Sequence, residues 1–244
     1  DKGIDGFWND MNEPAIFYSE KHLKEVFEKL EDYKKMNLDV NTFFEMQGMV
    51  GSICNNPEDY ASFYHNYKGR HYRHDQVHNL FGYYMTRSAS EAFERYVPEK
   101  RILLFSRASY IGMHRFGGIW QGDNASWWSH LKMNVKMMPS LNMCGFLYTG
   151  ADAGGFGNDT TEDLMLRWLE FAVFTPLLRN HSARGTRRQE VYRFSHVEKF
   201  ADVIGVRYQI LPYIYSEYMK AALQNTMMFN PLSFLYGEDA LAGQ

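Results

Sequence analysis

The chain has 244 residues, and 26 Lys and Arg against 29 Asp and Glu leave a net charge of −3. That near balance excludes a surface built to neutralise a phosphate backbone, and a composition 45% hydrophobic and 23% charged excludes a disordered chain. Two cysteines, Cys54 and Cys144, exclude a disulfide framework and a four-thiolate metal centre, while 16% Phe, Trp and Tyr leaves a surplus of flat faces for packing or stacking.

Residues 4–8 form a short apolar run that predicts a buried strand ending in the polar pair Asn9-Asp10. Residues 18–68 are too long and mixed for a strand-to-helix loop and predict an inserted lid or small subdomain, with a helix at 21–34. Next come a helix over 77–96, strands over 102–105 and 117–120 and a helix over 126–138. A strand over 144–149, a helix over 161–171, a strand over 174–178 and a helix over 200–223 complete the pattern. Residues 225–244 change character and predict one strand of a following domain.

Strands separated by helices, each strand closing on a polar cluster, predict an α/β fold: a β/α barrel or a doubly wound sheet. Five such units are too few to close an eight-stranded barrel, so the sheet is either open or the second part of a barrel. The apolar stretch 137–148 is broken by Pro139, Ser140 and Asn142, so no membrane span is expected. The opening Asp1-Lys2-Gly3 is neither a signal peptide nor a methionine start, and the expectation is a piece of a longer, cytoplasmic protein.

The polar clusters carry the chemistry. Phe7-Trp8-Asn9-Asp10-Met11-Asn12-Glu13 puts two carboxylates after a strand, where Asp10 is a candidate nucleophile or base and Trp8 and Met11 can wall a ring. Alone, an Asp-x-x-Glu pattern is more often the start of a capped helix. Trp120-Gln121-Gly122-Asp123-Asn124 repeats the arrangement, with Asp123 again readable as a helix cap. Gly150-Ala151-Asp152-Ala153-Gly154-Gly155-Phe156 lacks the spacing of a dinucleotide cradle, and Arg179-Asn180-His181 closes the following strand. His71, His74 and His78, with His65 and Asp75 nearby, have helical spacing for a metal, but no fourth ligand is defined, and packing histidines are the simpler reading. Successive strands ending in Asp, Arg or His beside Trp or Phe have the composition of a sugar pocket.

Taken together, these segments resemble glycoside hydrolase family 31, the family of α-glucosidases, isomaltases and α-xylosidases. The resemblance rests on Trp8-Asn9-Asp10-Met11-Asn12-Glu13, Trp120-x-Gly122-Asp123-Asn124, Gly150-x-Asp152-x-Gly154-Gly155-Phe156, Arg179-Asn180-His181 and Leu211-Pro212-Tyr213-x-Tyr215, in that order. It implies a (β/α)8 TIM barrel, of which residues 1–223 hold strands four to eight, and the start of a C-terminal β-sandwich in 224–244. It also implies Asp10 as nucleophile and Asp123 as general acid/base of a retaining, exo-acting α-glucosidase. Arg107, Asp152 and His181 match positions that hold sugar hydroxyls; Trp8, Met11, Trp120 and Phe156 match the apolar walls. His78-Asn79-x-Phe81-Gly82 resembles a structural helix motif of the family, which lowers the metal reading further.

Two departures stand out: Ala108 where a Ser usually follows the arginine, and Ala153 in place of the usual Ile. The implied partner is an α-glucoside oligosaccharide, with no nucleic acid, membrane, metal or organic cofactor. The rest of the parent chain is needed to close the barrel, and homo-oligomerisation stays open. An α-transglucosylase, an α-xylosidase or a carbohydrate-binding relative without catalysis are the alternatives; retention of both Asp10 and Asp123 argues against the last.

Overall fold

The computed structural model describes residues 3–15 and 17–236. Strand β1 (Gly6–Asn9) is followed by helices α1 (Glu20–Tyr33), α2 (Val40–Gly51) and α3 (Pro57–Ser62). An antiparallel hairpin comes next, β2 (Tyr64–Tyr67) and β3 (Arg70–Arg73), joined by a two-residue turn and leading into helices α4 (His74–Val77) and α5 (Leu80–Tyr96). The remainder alternates: β4 (Leu103–Ser106), β5 (Gly118–Trp120), α6 (Trp128–Met143), β6 (Thr149–Gly150), β7 (Asp152–Ala153), α7 (Glu162–Ala172), β8 (Arg179–Asn180) and α8 (Val197–Gln224). A short helix α9 (Leu232–Tyr236) ends the described residues.

Strands β1, β4, β5 and β6 form one parallel sheet in that order, and β7 pairs with β8 in parallel beside it. The crossovers β1–β4 and β5–β6 carry α-helices, whereas β4–β5 is crossed by a single 3-10 turn at Met113–Arg115. The result is a parallel α/β barrel wall that does not close within this chain, with its polar strand ends on one rim.

Three apolar clusters hold the wall. Phe105, Trp120 and Leu177, with Tyr148 against them, fill the barrel side. Met113, Ile119 and Phe146 pack with Tyr83 and Leu141 on the helix side. The largest joins Ala153 of β7 to Leu164, Met165, Trp168, Leu169 and Ala172 of α7 and to Phe200 of α8. Each fully buried aliphatic or aromatic side chain there is worth about 1.5–3 kcal/mol relative to exposure. Arg207 of α8 reaches into the same region and donates to the carbonyls of Val173, Thr175 and Pro176, satisfying the end of α7.

Several boundaries differ from those expected. Helix α6 runs through Pro139 to Met143 instead of stopping at 138, because the stop is Gly145: at φ 89° it adopts the left-handed conformation that ends a helix. Residues 144–148 therefore make a helix exit and a turn, and the strand expected over 144–149 is reduced to β6. The apolar run 174–178 is the approach to β8, with Thr175 and Leu177 buried and Phe174 exposed: the Thr175 hydroxyl donates to the Ala172 and Leu177 carbonyls and folds it as a turn. The helix expected over 77–96 breaks at His78-Asn79 into α4 and α5. The insertion is a helical hairpin, α1–α2, plus α3 and the β2–β3 hairpin, whose second strand extends the unit past residue 68 to Arg73. The segment expected as a strand after residue 224 carries α9, and residues 237–244 lie outside the described residues. No helix among the described residues is long and apolar enough to cross a membrane.

Candidate active site

Asp10 follows β1 directly and Asp123 stands three residues past β5, and both are half-exposed at the rim. Their strands are not neighbours: β4 runs between them and delivers Arg107 one residue past its end. Arg107 lies between the two carboxylates, its Nη1 3.0 Å from Asp10 Oδ1 and 3.6 Å from Asp123 Oδ2. Its other edge grips Glu13 as a fork, Nε to Oε1 at 2.7 Å and Nη2 to Oε2 at 3.1 Å. The Glu13 hydrogen bond, with the charges of Glu13, Asp10 and Asp123, holds Arg107 above the ordinary arginine pKa. Burial tends to raise the Glu13 pKa, but the Arg107 bond and charge outweigh it and leave it below the usual carboxylate value.

The turn after β1 is locked from inside. Buried Asn12 donates from Nδ2 to Ser106 Oγ (2.8 Å) and accepts at Oδ1 from the Ala108 backbone N–H (3.0 Å), while the Ser106 hydroxyl donates to the Ala108 carbonyl (2.6 Å). Met11 has φ 55°, and its backbone N–H donates to Asp10 Oδ1 at 2.7 Å, which orients that carboxylate. Ala108 sits against Gly82, where a Cβ would come within 2.7 Å of its own. Small residues are needed on both sides of that contact.

A second group surrounds Asp152, which is fully buried and pairs with Arg179 through Nε (2.9 Å) and Nη2 (2.5 Å), both to Oδ1. Burial pushes the Asp152 pKa up; Arg179 and His181 oppose that, and Asp123 adds to it. The Arg179 guanidinium carbon lies 4.0 Å over the Trp8 ring and 5.5 Å from the Trp120 ring centre. Trp8 stacks on Phe105 with centroids 4.6 Å apart, and Trp120 is also 4.6 Å from Trp8. Phe156 stacks on His181 at 5.2 Å. Gly155, at φ 89° with a would-be Cβ 2.6 Å from Ser126 Cα, lets the Phe156 turn press against the loop after Asp123. That approach puts the Phe156 and Gly157 N–H groups on the Asn124 carbonyl, at 2.7 and 2.8 Å. Buried Gln189 donates to the carbonyls of Ala153, Gly155 and His181 and so binds this turn to the one after β8.

The structure thus gathers Asp10, Asp123, Arg107, Trp8 and Trp120 at one rim, with Met11 beside Asp10 and with Asp152, Phe156 and His181 on the adjoining strand ends. Arg107, expected to hold hydroxyls, has three carboxylate partners here. Ala153 turns to the α7 cluster, opposite Asp152, so its small side chain is absorbed by that core. Sequence reasoning did not single out Glu13 or Arg179; both stand in motifs it quoted, but only the folded rim shows what they touch. Asn12 was equally silent, because its partners lie more than ninety residues away.

The histidines assemble differently from the helical face considered above. His74 is buried between His65 (Nε2 to Nδ1, 2.8 Å) and His78 (Nε2 to Nδ1, 3.0 Å), stacks on Phe17 at 4.3 Å, and does not join His71. No group of three or more metal-ligating side chains occurs among the described residues. A cleft of about 1200 Å³ lies at the opposite ends of the strands, bordered by Leu103, Gly118, Tyr148 and Arg207, away from the carboxylates.

Residues 1–217 match the profile described as the glycosyl hydrolases family 31 TIM-barrel domain. Alpha-glucosidase 2 of Bacillus thermoamyloliquefaciens is 32% identical over 98% of this chain and 26% of its own length. The crystal structure of a family 31 alpha-glucosidase from Bacteroides thetaiotaomicron superposes with TM-score 0.70 at 28% identity, over 98% of this chain and 33% of that one. A glucosidase II alpha subunit, solved with Glc1Man2 bound, aligns over 68% of this chain and 18% of its own with TM-score 0.64 at 31% identity. The chain spans about a quarter of the length of its first curated relatives. With the profile covering every strand and the rim built from its matching segments, the chain belongs to glycosyl hydrolase family 31.

Proposed function

We propose that the protein carrying this chain is a retaining, exo-acting α-glucosidase that removes terminal α-linked glucose from oligosaccharides. The observation that carries this reading is the single Arg107 nitrogen between Asp10 and Asp123. The two carboxylate oxygens can be no farther apart than the sum of its two contacts. That bound keeps both carboxylates on one cation and is compatible with the ~5–5.5 Å separation of a retaining pair.

In this reading Asp10 attacks the anomeric carbon while Asp123 gives its proton to the departing glycosidic oxygen. The enzyme is then joined to the sugar through Asp10. Asp123, now a base, takes a proton from water, which displaces Asp10 and releases glucose with its α configuration retained. Trp8, Trp120, Met11 and Phe156 wall the ring, and Asp152, His181 and Arg107 receive its hydroxyls. The remaining strands of the barrel are assigned to the rest of the protein. Residues 224–244 are assigned to the start of a following β-sandwich, and this chain alone is expected to be inactive.

The test is proton NMR of aryl α-glucoside hydrolysis by the full-length protein, in which all the glucose released comes from the cleaved bond. Initial release of α-glucose supports the reading and β-glucose sinks the retaining step. Asp10→Ala is expected to lose several orders of magnitude in rate and to be rescued by azide with inverted product; unchanged turnover removes Asp10 from the role. Cleavage inside an end-blocked oligosaccharide rules out exo action, and transfer products dominating at high maltose point to a transglucosylase.

A further inference from the structure

We propose that Arg179 is a positioning residue of this site: pinned against Trp8, it grips the Asp152 carboxylate by one oxygen and leaves the other open to a neutral sugar hydroxyl. That the ligand is a sugar rests on the reading above; the link between Arg179 and Asp152 does not.

Both Arg179 contacts converge on Asp152 Oδ1. A guanidinium can satisfy both carboxylate oxygens at once as a fork, which is the stronger arrangement, and Arg107 does so with Glu13 in the same site. At Asp152 it does not, and Oδ2 is left buried with no hydrogen-bond partner in the protein. A buried, unpaired carboxylate oxygen is costly, so its retention fits an oxygen reserved for a donor that arrives with the ligand. A sugar hydroxyl is such a donor and brings no charge.

What keeps Arg179 from rotating into the fork is its face. The guanidinium lies over Trp8, which comes from a strand of a different sheet, and Trp8 is itself backed by Phe105. A cation over an indole face is attracted to it, and the contact orients the planar group as well as holding it. Arg179 therefore crosses the rim from β8 to β1 and joins the Asp152 side of the site to the wall beside Asp10. The charged and titratable groups facing Asp152 are Arg179 from β8, His181 from the turn after it and Asp123 from the turn after β5. Burial and Asp123 favour the protonated acid, while Arg179 and His181 oppose them. Without Arg179 the balance moves towards a neutral Asp152, whose added proton competes with the hydroxyl for the open oxygen.

The experiment uses the full-length protein with Arg179→Gln, Arg179→Lys and, as a blank, Asp152→Asn. Protonation of Asp152 is followed by infrared difference spectroscopy against the blank, tryptophan emission reports on Trp8, and glucose is titrated calorimetrically across pH. The expected result for Arg179→Gln is an Asp152 midpoint raised by about one pH unit or more. Glucose binding should weaken roughly tenfold at neutral pH and recover as pH rises. Arg179→Lys should return the midpoint towards that of the parent but not the tryptophan emission, since an ammonium restores charge and not the planar stack. An Asp152 midpoint unmoved in Arg179→Gln overturns the proposal, as does a loss of glucose binding equal at every pH. If Arg179→Gln does not fold, the Arg179→Lys pair of readouts decides by itself: emission unchanged from the parent overturns the stacking role. A parent protein that binds no glucose while the midpoint still shifts sinks the sugar reading and leaves the Arg179–Asp152 link standing.

Discussion

Arg107 meets Glu13 edge to edge, two N–H groups on two carboxylate oxygens at 2.7 and 3.1 Å. That fork uses one side of the guanidinium and fixes its rotation, so the remaining nitrogen, Nη1, can only point between Asp10 and Asp123. The placement of Nη1 between the two carboxylates is thus governed by a third carboxylate that stands three residues beyond the first.

Glu13→Gln should therefore disturb a site it does not line. An amide keeps one acceptor and turns the other into a donor facing Arg107, so the fork is lost and Nη1 is released. Displacements of about 1 Å at a reacting pair cost on the order of 10²-fold. A fall of that size in kcat/KM for maltose, with the thermal midpoint little changed, is the expected outcome. Activity equal to the parent would show that the fork does not set the carboxylate geometry.

Asp123→Ala should separate substrates by leaving group. Natural disaccharides need their glycosidic oxygen protonated, whereas aryl glucosides with acidic phenols do not, so the loss should be about 10²–10⁴-fold for maltose and far smaller for the aryl substrate. Steady-state kinetics on both substrates checks this. Equal losses would reduce Asp123 to a structural residue at the head of the loop before α6.

Asn12→Ala addresses folding. The side chain joins the turn after β1 to the end of β4 through buried Ser106 Oγ and the part-buried Ala108 N–H. Removing it strands the Ala108 N–H and costs about 1–3 kcal/mol, to be read as a lowered urea midpoint of the full-length protein. A midpoint within error of the parent would mean that water replaces the amide.

His74 supplies a pH dependence of stability. Burial, then the neighbouring His78 and His65, lowers its pKa from 6.5 to about 4, with Asp75 opposing. The unfolded chain therefore binds a proton below about pH 6.5 that the native state refuses until about 4. Stability is intact above that window and falls as pH drops through it. In His74→Phe, urea midpoints should show a shallower decline between those limits; an unchanged slope would place the acid sensitivity elsewhere.

The strand-end clusters were legible from the sequence because their signals are local: an apolar run of four or five residues, then Asp, Arg or His beside an aromatic. That pattern was enough for the parallel α/β class; the pairing of Asp10 with Asp123 came from the family resemblance, and the insertion from the length of residues 18–68. Element ends were less legible. The exit of α6 depends on Gly145, not Pro139, and the apolar run at 174–178 becomes a turn because Thr175 bonds to Ala172 and Leu177. Neither outcome follows from hydrophobic period.

What only the tertiary structure decided is which charge meets which. Arg107 and Glu13 stand 94 residues apart, Arg179 and Asp152 27, Asn12 and Ser106 94, and Trp8 and Arg179 come from strands of different sheets. A motif states that a carboxylate ends a strand. Parallel pairing then sets β4 between the two carboxylates and carries Arg107 to the point where one nitrogen reaches both. Hydrogen bonds and ion pairs act over about 3 Å, so their partners are chosen by strand order and by the side chains that pin each group, quantities that a linear sequence holds only through its fold.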